Sequence, residues 1–75
     1  DHTSPSEAAE RNEELLRLAD ALEKVPPTQR EAVILKDLIG LPLKETSERL
    51  AQTEAATAGL LFRGRRELRR LLGEE

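Results

Sequence analysis

The chain has no cysteine, methionine, tryptophan or tyrosine, and its only aromatic residue is Phe62. Without cysteine, disulfides and thiolate metal sites are excluded. The one histidine, His2, stands at the very start, where it belongs to a tail. A zinc site or a histidine-based proton relay therefore has no residues to use. A single phenylalanine cannot build the stacking platform that single-stranded nucleic acid requires. No apolar run approaches the roughly 18 residues of a membrane span. No signal peptide is legible, which makes the cytoplasm the expected compartment, and the missing initial methionine suggests a piece of a longer protein. Seventy-five residues make one domain, with a core near the lower limit for independent folding.

What is abundant is charge. Net charge is −3, which by itself argues against a nucleic-acid binder. The distribution says otherwise. Residues 1–23 hold seven acids against Arg11 and Arg17, a net of −5. Residues 62–72 hold Arg63, Arg65, Arg66, Arg69 and Arg70 against Glu67 alone, a net of +4. One end can meet phosphate and the other repels it, unless both are simply solvated helix faces.

Apolar spacing is helical throughout and nowhere alternates with period two, so the expected fold is all-α, four helices without strands or a wing. Ser4-Pro5-Ser6-Glu7 has the form of a capping box. The helix that follows places Leu15, Leu18, Ala19 and Leu22 on one stripe and should stop near Val25, before Pro26-Pro27. Pro27 opens a second helix with Ala32, Val33, Leu35, Leu38 and Ile39 as its apolar positions, closed by Gly40 as a left-handed cap. A third helix is expected from about Leu43 to Leu50, with Leu43, Ser47 and Leu50 inward. Thr53 is placed to cap a fourth, with Glu54 at its positive dipole end. That helix carries Ala56, Leu60, Leu61, Gly64, Leu68, Leu71 and Leu72 and stops at Gly73. Two helices on a short turn, the second with a basic end, have the form of a helix-turn-helix that enters a DNA major groove.

Three segments then fall in order: Val25-Pro26-Pro27-Thr28-Gln29-Arg30-Glu31-Ala32, Leu35-Lys36-Asp37-Leu38-Ile39-Gly40-Leu41, and Arg63-Gly64-Arg65-Arg66 with the leucines after it. Together they resemble region 4 of bacterial RNA polymerase sigma factors, specifically the extracytoplasmic-function (ECF) group. The resemblance covers about Ala21 to Leu72. It implies a C-terminal domain, residues 21–75, that reads the −35 promoter element with its last helix. Residues 1–20 would be a linker and an acidic leading helix. It also implies docking of the first part of the domain on the flap of the polymerase β subunit. An anti-sigma factor is a further candidate partner, and no cofactor, no membrane contact and a monomer in isolation are expected.

Carried over position by position, the resemblance implies that Thr53 caps the recognition helix or touches phosphate. Glu54, Ala55, Ala58 and Gly59 lie in its exposed first turns, where base edges are met. Arg63 is the basic residue of the helix middle, followed toward the backbone by Arg65 and Arg66. Arg30 and Lys44 open the second and third helices, where phosphate contacts set register. There are departures. Ala51 replaces the usual turn glycine, which suggests a less sharp turn or a longer preceding helix. Thr46 and Thr57 replace β-branched aliphatics, so each hydroxyl needs a partner such as the i−4 carbonyl. Residues 54–59 contain no Lys, Arg, Asn or Gln, the usual bidentate base readers.

Purely structural readings compete at several positions. Ala56 and Gly59 could be small to let the third and fourth helices approach. Arg69 and Arg70 could complement the helix dipole, and Phe62 reads as core. At the level of function, the alternative is a degenerate helix-turn-helix that binds proteins or is masked by its own acidic helix. A dimeric repressor or response-regulator output domain has a similar shape. Carboxylates at helical spacings beside arginines, with no nucleophile–base–orienter set, do not make an enzyme.

Overall fold

The computed structural model describes residues 5–73. Four α-helices follow one another: α1 (Pro5–Lys24), α2 (Pro27–Val33), α3 (Leu43–Leu50) and α4 (Glu54–Leu71). There is no strand among the described residues, so the all-α expectation holds. Ser4, the expected cap of α1, lies outside the described residues. Pro27 occupies the first turn of α2, and Gly40 closes the following segment in the left-handed region at φ 91°.

One element departs from the expected second helix. Past Val33 the chain widens into a π-helical segment, Ile34–Ile39, before reaching Gly40. The wider i→i+5 winding breaks the 3.6-residue register. The stripe through Ala32 and Val33 therefore does not continue, and Leu38 and Ile39 are 53% and 62% exposed rather than inward.

The core is small: Ala21, Val25, Ala32, Val33, Leu61 and Leu68, edged by half-buried leucines of α1, α3 and α4. α2 and α4 are in close contact at Gly64. A Cβ there would stand 2.9 Å from Val33 Cγ2 and 3.2 Å from the Gln29 carbonyl oxygen. Thr46, Ser47 and Thr57 are also buried. Their hydroxyls donate to the i−4 carbonyls of Pro42, Leu43 and Thr53 at 3.0, 2.8 and 2.8 Å. Each polar group thus enters the core with its hydrogen bond made locally, which avoids a penalty of roughly 1–3 kcal/mol for an orphaned donor. On α3, Thr46 and Ser47 are buried deepest, while Leu43 and Leu50 sit at its edge.

α1 packs only by its C-terminal part. Leu18 and Leu22 meet the core, but Leu15, Leu16 and Ala19 of the same helix are exposed. From residue 7 to residue 17 the helix is exposed and extends past the core. A radius of gyration of 14.4 Å, against about 11 Å for a compact chain of this length, reflects that projection. α1 runs unbroken across residue 20.

Between α3 and α4 the turn is sharp, contrary to the expectation drawn from Ala51. Ala51 takes the left-handed region itself, at φ 56° and ψ 40°. That conformation lets Ala51 N donate to Glu48 O at 3.1 Å and Gln52 N to Ser47 O at 3.0 Å, closing the end of α3. With only residues 51–53 to join the helices, satisfying these carbonyls outweighs the roughly 1–2 kcal/mol that an L-residue incurs in the left-handed region.

Two substitutions follow with opposite signs. Ala51→Gly removes that strain and should raise stability by about 0.5–1 kcal/mol, net of glycine's added unfolded-state entropy. In a domain of this size that is several degrees of Tm in a circular-dichroism melt, and an unchanged Tm would contradict the left-handed assignment. Gly64→Ala gains helix propensity but drives a methyl into Val33 and a backbone carbonyl. It should lower stability by about 1–3 kcal/mol in urea titration, whereas a more stable variant would show that α2 and α4 do not touch there.

Candidate nucleic-acid interface

α4 turns Thr57, Leu61, Gly64 and Leu68 inward. On the opposite side, at i, i+4, i+8 and i+11, stand Ala55, Gly59, Arg63 and Arg66. The local sequence places this strip. Thr53 Oγ1 accepts from Ala56 N at 3.0 Å, and the Thr53 carbonyl accepts both Thr57 N and Thr57 Oγ1. The helix start is thereby held, and with it the facing of every residue after it.

Gly59 is small for a reason other than the one expected. The three atoms nearest to where its Cβ would be all belong to the Arg63 guanidinium, with Nη1 at 3.3 Å, and none to α3. Arg63 folds back toward the helix N-terminus and covers the space that a side chain at 59 would fill. Ala56 is exposed and is likewise no spacer between helices. Phe62 is 62% exposed, not core, and stands beside Arg63 on the outer surface.

The remaining sites separate into free and occupied groups. Lys44, Glu54, Ala55, Ala58, Arg63 and Arg66 are exposed. Arg30 is turned inward instead: its Nη2 donates to the Glu23 and Val25 carbonyls at 3.3 and 3.1 Å. It closes the C-terminal end of α1 across the Pro26-Pro27 break, and its Nε is buried without a partner. Arg65 is held by Asp37 of the π segment in a two-pronged pair, Nε to Oδ2 at 2.7 Å and Nη2 to Oδ1 at 2.5 Å. Arg70 pairs in the same fork with Glu67, whose carboxyl is lowered in pKa by those hydrogen bonds. Neither Asp37 nor the inward turn of Arg30 was legible in spacing. Asp37 is 28 residues from Arg65, and Arg30 looked like any cation opening a helix. The i, i+4 spacing of Gly59 and Arg63 was the one signal that could have revealed their contact.

Arg63 and Arg66 are not ion-paired with α1 or with any other described residue. Both are exposed, so the described part of the acidic leading helix does not cover them. No group of three or more His, Asp or Glu side chains that could hold a metal exists among the described residues. No described helix is long and apolar enough to cross a membrane.

The Asp37 pair has a checkable pH signature. Hydrogen bonding to Arg65 holds the Asp37 carboxyl below the usual range; burial pushes the other way, and the charges of Arg65 and Lys36 add to the lowering. A carboxyl lowered on folding contributes stability above its unfolded pKa and loses it as pH falls through the folded value. Wild type should lose stability relative to Asp37→Asn on acidification below about pH 5. The partners are partly exposed, so the difference at neutral pH should stay within about 1 kcal/mol and shrink with salt. Parallel melts of the two proteins from neutral to acid pH check it; a constant offset would mean that the pair does not form.

Comparison with known proteins agrees with this geometry. Residues 15–68 match the model of the family described as Sigma-70, region 4. Neither the curated proteins nor the solved structures yielded a match. The family model spans most of the chain, and its matched segment begins within α1 and ends at Leu68, the last buried residue of α4. The chain thus belongs to region 4 of the sigma-70 family of sigma factors, the part whose role is binding promoter DNA at the −35 element.

Proposed function

We propose that this chain is the −35-reading domain of an ECF-type sigma factor, working in the cytoplasm inside RNA polymerase holoenzyme. The observation that carries this reading is the outer strip of α4. A guanidinium lies folded over Gly59, and a second unpaired arginine stands one turn further along. With α4 in the major groove, Arg63 supplies the planar donor fork that residues 54–59 lack. Ala55 and Ala58 offer methyl contacts, exposed Phe62 can meet a thymine methyl, and Glu54 can accept from a cytosine amine. Arg66 and Lys44 grip phosphate and set register. Thr53 acts as helix cap first.

Arg30 and Arg65, occupied elsewhere, serve in this reading as positioning residues: Arg30 orients α1 on α2, and Arg65 ties α4 to the π segment. The polymerase β-subunit flap is the protein partner, with exposed Leu38 and Ile39 as the apolar contact. An anti-sigma factor is a further partner of the same kind. Residues 21–75 form the functional unit, acting as a monomer without cofactor or catalytic activity.

The second reading, a protein-interaction module, draws on the exposed Leu15 and Leu16 of acidic α1. Binding of duplex DNA separates the two. Alone, the chain should bind with Kd around 10⁻⁴–10⁻⁶ M and a steep salt dependence. Replacing Arg63 and Arg66 together with Ala should flatten the log–log salt slope by up to about two units in fluorescence anisotropy. An unchanged slope removes both from the interface, and no binding at low salt favours the protein-interaction module.

A further inference from the structure

Beside the outer strip of α4 runs a cleft of about 560 Å³, walled by the last turn of α1, the first turn of α2 and the flank of α4. Lys24, Gln29, Arg63, Arg66, Glu67 and Arg70 line it. Four cations face one carboxylate, and that carboxylate is already engaged by Arg70. Lys24, Arg63 and Arg66 are left unpaired among the described residues. In a chain with net charge −3 and a strongly acidic first helix, this is a local concentration of free positive charge. Cations brought together from two elements repel one another, and an anion between them removes that repulsion. Gln29 adds a neutral side-chain donor at the same wall.

We propose that this cleft is a cradle for the phosphodiester backbone of duplex DNA, and that Lys24 is a DNA-contacting residue contributed by α1. The inference rests on the DNA-binding reading above and extends it to an element outside the helix-turn-helix. The geometry decides between a free anion and a strand. The cleft opens onto the face bearing Arg63 and Arg66, so phosphates beside a groove occupied by α4 pass directly along it. Lys24 then reaches the strand on the side of α4 away from the Asp37–Arg65 pair. It also explains why the end of α1 is held so firmly. Arg30, bonded to the Glu23 and Val25 carbonyls on either side of Lys24, fixes where that lysine stands.

The competing account makes Lys24 a simple partner of the helix dipole at the end of α1. That role affects melting but not the response of DNA binding to salt. The test is anisotropy titration of a labelled duplex with the 75-residue chain from low to high salt, for wild type, Lys24→Gln, Lys24→Arg and Lys36→Gln. Lys36 carries the same charge on the π segment and does not line the cleft. One phosphate contact corresponds to about 0.9 of log–log salt slope. Lys24→Gln should therefore lose about one unit, Lys24→Arg should retain it, and Lys36→Gln should match wild type. If Lys24→Gln keeps the full slope while Arg63→Ala flattens it, the cradle is wrong and the DNA-binding reading survives. Equal losses in Lys24→Gln and Lys36→Gln reduce the effect to net charge and overturn the cradle. Absence of duplex binding in folded wild type, verified by far-ultraviolet circular dichroism, defeats both. Melts of all four proteins separate a folding defect from a lost contact.

Discussion

The contact at Gly64 is the constraint on which the other features rest. α4 can lie against α2 only because residue 64 has no side chain, leaving room for Val33 and the Gln29 carbonyl. That approach turns Leu61 and Leu68 into the core and, by helical geometry, turns Ala55, Gly59, Arg63 and Arg66 outward. With so few large buried side chains and no buried aromatic, the domain has little apolar area to spare. Loss of one close contact would therefore displace the functional face and weaken the fold together.

A small core is also why its polar members are arranged as they are. Thr46, Ser47 and Thr57 fill space that larger aliphatics could fill, yet each hydroxyl is satisfied by the carbonyl one turn back. The same economy holds the joints. Arg30 bonds the carbonyls around the end of α1, Ala51 accepts a strained conformation to close α3, and Asp37 ties Arg65 of α4 to the π segment. Two arginines and an aspartate, ordinary surface charges by sequence, thus serve framework roles, while Arg63 and Arg66 remain free. Charge in this protein is divided between holding the helices and meeting phosphate.

That division resolves the tension between a net negative chain and membership of a DNA-binding family. Four of the acids of α1, Glu7, Glu10, Glu13 and Glu14, lie ahead of the part of the helix that packs on the core. Like charge kept away from the binding face costs little at physiological salt, where screening acts over about 8 Å. At its end α1 brings a cation, Lys24, to the basic cleft.

Sequence by itself determined the helical class, the end of α1 at the double proline, the bounds of α3, the Thr53 cap and the stop near Gly73. These depend on local chemistry: ring-locked prolines, a short hydroxyl at an N-cap, a glycine free to take positive φ. The ordered motifs also pointed to region 4, and the family match agrees. Only tertiary structure decided which arginines were free, because Asp37 and Arg65, or Arg30 and the end of α1, meet through packing rather than spacing. It also decided the exposure of Phe62, Leu38 and Ile39. Apolar character marks a residue as able to enter a core, but the core's limited volume and the π-helical change of register determine which residues do.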